Sequence, residues 1–273
     1  MSRADLDVAL GWARDEGWNP GLDDGDAFYA QDPSGFLMGW LDGEPIGCVS
    51  VVKYDRSFAF LGLYIVRPKW RGEGYGKAIW DAGIAGAGNR TIGLDGVVGQ
   101  QDNYRESGFA LAHRSARWGG VVVGAEVVDA RIRALTPDLI PAVEIFDRRC
   151  FPKPRPRFLS AWLGASPTRH SLCAVEGNDI LGYGTMRRSI EGYKLGPLFA
   201  RTPEIASSLL DALVAGTGGA QVSIDIPALN EPAVQLGRNR GLTPSFETAR
   251  MYRGPAPTIP IGQVFGITSL ELG

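Results

Sequence analysis

Apolar and polar positions alternate between two kinds of run along this chain, and each kind occurs twice in the same order. An amphipathic helix opens the first set, with Ser2 as its N-cap and Asp5 three residues on. Strands are expected over 35–41, 46–54 and 58–66, a helix over 76–86, and an apolar strand over 91–98. A short helix and a final strand close the set. The second set has its helix opened by Thr136 and Pro137, then strands over 171–176, 180–189 and 193–199. A helix over 205–216, an apolar strand over 221–226, a short helix and a last strand complete it.

The two sets also share landmarks. Asp42-Gly43-Glu44-Pro45-Ile46-Gly47 resembles Glu176-Gly177-Asn178-Asp179-Ile180-Leu181-Gly182, and Leu63 to Pro68 matches Leu198 to Pro203. Ile92-Gly93-Leu94-Asp95 matches Val222-Ser223-Ile224-Asp225, Gly108-Phe109 matches Gly241-Leu242, and Ala116-Arg117-Trp118 matches Ala249-Arg250-Met251. Conserved order points to two copies of one domain, 1–123 and 124–273, joined near Gly119-Gly120 to Gly124. The second copy begins with an extra strand-like run, 127–135, that the first lacks. The C-terminal segment 266–272 is the candidate to cover the edge left open in the first copy.

Composition narrows the function. The 273 residues carry 28 Lys plus Arg against 30 Asp plus Glu, a net charge of −2, and no basic run, so a general nucleic-acid binder is not expected. No apolar stretch is long enough to span a membrane, and the acidic start lacks a signal core, which makes a cytoplasmic protein the default. Cys48, Cys150 and Cys173 are widely spaced and only two histidines occur, so neither a disulfide framework nor a metal site is indicated. The 37 glycines are about twice the ~7% of an average chain, yet follow no period.

Three of those glycines matter most. After the strand 58–66 comes Arg67-Pro68-Lys69-Trp70-Arg71-Gly72-Glu73-Gly74-Tyr75-Gly76-Lys77, and then a helix. Gly72, Gly74 and Gly76 let successive amides converge, the helix N-terminus adds its dipole, and Arg71 and Lys77 add charge. This is a phosphate cradle. It is not a Walker loop, because Arg71 stands where the first Gly belongs and Ala78 where Ser or Thr belongs. Nor is it the dinucleotide fingerprint, because its glycines are spaced two and two.

The pattern Arg-x-x-Gly-x-Gly, as Arg71, Gly74 and Gly76, resembles that of the GCN5-related N-acetyltransferase (GNAT) superfamily. Asn103-Tyr104-Arg105-Glu106-Ser107-Gly108-Phe109 is similar to the family's Tyr-Glu-Lys-x-Gly-Phe ending, although Val97 replaces the usual Asn seven residues earlier. The resemblance implies an α+β fold, a mixed and mostly antiparallel sheet flanked by helices. It implies acetyl-CoA as cosubstrate, held by Arg71 through Lys77, with backbone groups of Ile65 and Val66 pairing with pantetheine. A backbone N–H near Tyr64 or Ile65 would polarise the thioester, and Tyr104 would protonate the departing thiolate. A phenol of pKa ~10 suits a thiol of pKa ~8.5. The acceptor would be a small-molecule amine or a peptide, attacking directly. No general base is evident: the strand carries no acid, and Asp95 and its twin Asp225 read as structural. The rival function is a non-catalytic acyl-CoA sensor or scaffold.

The second copy is shorter by five residues at the cradle, where Arg201-Thr202-Pro203-Glu204 runs straight into a helix. Its Asn230-Glu231-Pro232-Ala233 resembles the family's Asn-x-x-Ala helix opening, but Gly237 stands where the Tyr would be. It therefore reads as degenerate. Gly17-Trp18-Asn19-Pro20-Gly21, with Phe28-Tyr29, is either a Trp-anchored turn or part of an acceptor pocket. Phe151-Pro152-Lys153-Pro154-Arg155-Pro156-Arg157 reads as a stiff basic surface loop, and His113 and His170 as structural or exposed.

Overall fold

A computed structural model describes residues 1–122 and 129–273. The expected junction at 123/124 and the start of the run 127–135 lie outside those residues. The chain enters through α1 (Arg3–Asp15), closed by a reciprocal cap in which Ser2 Oγ accepts from the Asp5 amide and the Asp5 carboxylate accepts from the Ser2 amide. A second helix, α2 (Asp24–Gln31), was not evident in the sequence; it buries Ala27 and Phe28. Then follow β1 (Phe36–Leu41), β2 (Glu44–Lys53), β3 (Phe58–Val66), α3 (Tyr75–Ala87), β4 (Thr91–Val97), α4 (Gln101–Glu106) and β5 (Ala110–Val121).

The second half runs β6 (Ile132–Ala134), α5 (Ile140–Cys150), α6 (Pro156–Trp162), β7 (Arg169–Glu176), β8 (Asp179–Arg188) and β9 (Tyr193–Ala200). It continues through α7 (Pro203–Ala215), β10 (Gln221–Pro227), α8 (Glu231–Asn239), β11 (Thr243–Arg253) and β12 (Val264–Gly266). This is the expected α+β architecture. Within the run 127–135, β6 pairs with β7.

All strands join one mixed sheet in the order β1-β2-β3-β4-β11-β5-β10-β9-β8-β7-β6, with β12 beside β9. The last strands of the two copies have changed places. β11 pairs with β4 of the first copy, and β5 pairs with β10 of the second. Met251 on β11 is thus buried with Val49, Leu61 and Trp80, while Trp118 on β5 is buried with Leu209, Val222 and Ile224.

Four twinned residues lock the exchange. Arg250 grips Asp95 with two bonds of 2.7 Å, and Arg117 grips Asp225 with bonds of 2.8 and 2.9 Å. Each pair joins a residue of one copy to the twin of its counterpart in the other. The expectation that Asp95 and Asp225 are structural acquires its reason here: bidentate Arg–carboxylate geometry fixes strand register as well as neutralising charge.

On one face, α1, α2, α5 and α6 share a single core with Cys48, Leu63, Tyr183 and Phe199. On the other face α3 covers the first copy and α7 the second. Two expectations need correction. Residues 266–272 do not cover the β1 edge; the segment leaves β12 and crosses the sheet to lie against Gly62 of β3, and Tyr54, in the turn after β2, donates from Oη to Leu272 O at 2.7 Å. The Pro-rich stretch is not simply surface. Pro156 opens α6, and Arg155 is fully buried with its guanidinium on the Phe151 and Phe158 rings. Among the described residues no helix is long and apolar enough to cross a membrane.

Candidate functional site

β3 and β4 run parallel only from Phe58↔Thr91 to Leu61↔Leu94, and beyond that point they diverge. β3 also carries a bulge. Cys48 and Ser50 of β2 face Ile65 and Gly62, so Val49 alone opposes both Leu63 and Tyr64. Leu63, within this bulge, takes φ +45°, a strained left-handed value for a branched side chain.

The divergence opens into a cleft of about 570 Å³. Tyr64, Ile65, Val66, Arg71, Gly72, Gly74, Gly76, Lys77 and Tyr104 all line it, so most of the sequence-predicted site residues converge. Glu73 and Tyr75 do not: Glu73 is exposed and Tyr75 packs edge-on against Trp70. Gly72 and Gly74 have φ of +86° and +85°, values that favour glycine, and α3 begins directly after them without a side-chain cap. Gly76 is needed for space, because a Cβ there would lie 2.6 Å from Tyr64 Oη.

Arg71 is fixed by a 2.8 Å bond from Nε to Val66 O and by an ion pair with Glu16, which also lines the cleft. Among the described residues, three of its five N–H donors have no partner and are available to a ligand. Glu16 was missed in the sequence, since nothing in α1 marks it as facing the loop. Lys77 is mostly exposed and paired with Asp81 at 2.6 Å, an i,i+4 contact that solvent weakens.

Tyr104, on α4, is buried against Trp80, with ring centroids 5.4 Å apart and planes 20° from parallel. Burial pushes its phenol up to about 12, with Tyr64 nearby adding to the effect, so it is protonated at neutral pH. Its place depends on Gly96 of β4, where a Cβ would fall 2.2 Å from Tyr104 Cε2. Gly96→Ala is therefore expected to expel the ring and to cost about 1–3 kcal/mol in urea unfolding. A variant as stable as the parent would mean that the ring is not held this way.

The far end of the cleft is walled by Trp18, Arg117, Phe246, Thr248, Leu270 and Glu271. Trp18 thus faces the site, whereas Phe28 is buried in the core, stacked on Trp162. Phe246, Thr248, Leu270 and Glu271 come from the second half of the chain and reach this place only through the strand exchange and the crossing C-terminal segment. Neither histidine lines the cleft, and no cluster of three metal-binding side chains exists among the described residues.

The equivalent divergence in the second copy is filled by the chain itself. β9 and β10 pair from Tyr193↔Val222 to Leu195↔Ile224; β12 then lies against β9 at Leu198 and Phe199, and the Ile267 amide donates to Asp225 O at 3.0 Å. Asn230 caps α8 and also donates to Val264 O at 2.9 Å, which holds β12 in place. Thr202 Oγ1 caps α7 where the first copy offers open amides, and Trp118 packs against Gly237 in place of a tyrosine.

Known proteins match this arrangement. Residues 8–124 match the Acetyltransferase (GNAT) family and residues 143–266 the Acetyltransferase (GNAT) domain. The chain is similar to a holothin acyltransferase of Pseudoalteromonas sp., 35% identical over 265 residues, covering 96% of this chain and 89% of that one. Its fold resembles the crystal structure of a candidate acetyltransferase from Pyrococcus horikoshii, with TM-score 0.83 and 23% identity over 100% of this chain and 94% of that one. A tandem GNAT protein of the clavulanic acid pathway shares the fold at TM-score 0.63 and 13% identity, covering 94% of this chain and 98% of that one. The chain belongs to the GNAT family of acyltransferases, as a tandem pair of GNAT domains whose second copy has closed its own cleft.

Proposed function

We propose that the first copy transfers an acetyl group from acetyl-CoA to the amine of a small acceptor by direct attack. The observation that carries this reading is one continuous cleft running from the glycine loop, past the exposed backbone of β3, to a chamber walled by Trp18, Phe246 and Leu270. The donor set fits the cosubstrate. The amides around Gly72, Gly74 and Gly76, the α3 N-terminus and Arg71 suit a pyrophosphate, and the unpaired edge of β3 at Ile65 and Val66 suits the pantetheine amides.

When bound, acetyl-CoA would supply an activated acyl carbon and a thiolate leaving group. The amide near Tyr64 or Ile65 donates to the carbonyl oxygen and stabilises charge that develops there. Tyr104 Oη gives its proton to the departing sulfur. Glu73 and Tyr75, which do not line the cleft, take no part in these steps. The Trp18, Phe246 and Leu270 walls suit a small amine, and similarity to an acyltransferase over nearly the whole chain supports acyl transfer as the reaction.

Arg71→Ala is expected to weaken acetyl-CoA binding about 10-fold or more, the scale of lost charge-assisted hydrogen bonds. Calorimetry with acetyl-CoA and a thiol-release assay with a panel of aliphatic and aromatic primary amines provide the test. Binding of coenzyme A without thiol release from any amine would replace the enzyme by an acyl-CoA sensor. Binding of an adenine dinucleotide in place of coenzyme A would overturn the cosubstrate.

A further inference from the structure

One acidic side chain in the cleft is without a role in the steps above. Glu271 lines the far chamber, yet only 4% of the residue is exposed, and its Oε2 is buried without a hydrogen-bond partner among the described residues. A buried carboxylate oxygen left unpaired loses its hydration with nothing in return, so its retention calls for a compensating use.

Among the described residues, the other buried charges around it, Lys194 apart, are matched by an opposite charge. Asp95 of β4 is held by Arg250 of β11, and Asp225 of β10 by Arg117 of β5. Lys194 of β9 donates to Trp18 O at 3.3 Å, and Arg187 of β8 is bound to Asp24 and to Thr268 O. Glu271 is near enough to Asp95, Arg117 and Lys194 to influence their protonation, but forms no ion pair with any of them among the described residues.

The backbone that carries Glu271 is firmly built. Thr268 Oγ1 accepts from Arg155 at 2.9 Å and Thr268 O accepts from Arg187 at 3.2 Å; Ser269 Oγ accepts from the Leu272 amide at 3.1 Å. The segment lies hard against β3, where a Cβ on Gly62 would fall 2.2 Å from Glu271 O. Gly62 is the first residue past Leu61, where β3 and β4 part. Glycine at this place therefore admits the C-terminal segment at the mouth of the divergence.

We propose that Glu271 is the general base of the first copy's site, delivered by the same C-terminal segment that closes the second copy's cleft. This rests on the acetyl-transfer reading. As the acceptor nitrogen forms its bond to the acyl carbon, its proton passes to Glu271. The carbon–sulfur bond breaks with its electron pair going to sulfur, which takes the Tyr104 proton. Glu271 then releases its proton to solvent and Tyr104 recovers one from it, so the balance is amine plus thioester to amide plus thiol. Sequence inspection of β3 and β4 could not find this base, because the carboxylate comes from the far end of the chain, more than 200 residues beyond β3.

The test is Glu271→Gln, which keeps the shape and removes the proton acceptor, assayed with acetyl-CoA and whichever amine of the panel the parent acetylates fastest. Expected are a kcat loss of about 100-fold or more, an unchanged acetyl-CoA Kd by calorimetry, and loss of the acidic limb of the kcat/KM–pH profile. Glu271→Asp should retain that limb at reduced rate. A merely structural Glu271 would lower the melting temperature and the rate while leaving the pH profile intact, and that result overturns the proposal. So does Glu271→Gln activity within threefold of the parent; in both cases acetyl transfer itself stands. A parent that acetylates no amine would instead overturn the acetyl-transfer reading, and the proposed base with it.

Discussion

Replacing Asp147 by Ala is expected to destabilise the protein by about 3–5 kcal/mol, the range found when one partner of a buried ion pair is removed. Asp147 on α5 and Arg155 before α6 are both 0% exposed at the side chain, joined by bonds of 2.9 and 2.7 Å. Tyr183 Oη also donates to Asp147. Without the carboxylate, Arg155 would remain charged among Phe151 and Phe158, and the Tyr183 hydroxyl would lose its acceptor. Urea unfolding provides the measurement. The double replacement Asp147→Leu with Arg155→Leu should recover much of the loss, because an apolar pair leaves no orphaned charge. A loss below about 1 kcal/mol for Asp147→Ala would show that water reaches the pair.

The same residue shows why part of the fold could not be read locally. Phe151 to Arg157 has the polarity of a surface loop, and Lys153, Pro154 and Arg157 do remain outside or partly so. Burial of Arg155 is decided by an acid one helix earlier and by Thr268 at the far end of the chain, and no window around Arg155 contains that information. The helices α2 and α6 escaped for a related reason: each is short and buried by tertiary contact, with too few turns to display a helical period.

The strand exchange was hidden differently. Ala116-Arg117-Trp118 and Ala249-Arg250-Met251 are near equivalents, so either strand satisfies the local pattern beside either core. A signal did exist: an Asp on β4 and on β10, and an Arg on the last strand of each copy, at matched positions. That twinning announces an ion pair without saying whether it forms within a copy or between copies. By contrast, β3, the glycine loop and α3 were legible because their physics is local. A continuous apolar strand, positive-φ glycines and an uncapped helix start need no distant partner to be recognised. Glu16 and Glu271 lacked any such local mark, and both enter the cleft from elements distant in sequence.

Tyr104→Phe is expected to lower kcat by about 100-fold or more while leaving the Kd for acetyl-CoA within about twofold, if the phenol protonates the leaving sulfur. The phenylalanine ring keeps the stack on Trp80 and the contact with Gly96, so stability should change little. Sign matters for the pH dependence. Burial raises the phenol to about 12, so the proton to be donated is present throughout the neutral and moderately alkaline range. The parent should therefore show no alkaline loss from this group below about pH 11, and Tyr104→Phe should depress the whole plateau instead of removing a limb. Glu271→Gln predicts the complementary result, loss of the acidic limb. The two variants thus separate the donor from the acceptor of protons by the shape of the profile as well as by its height. A Tyr104→Phe enzyme turning over at the parental rate would exclude the phenol as the acid and leave solvent to protonate the thiolate.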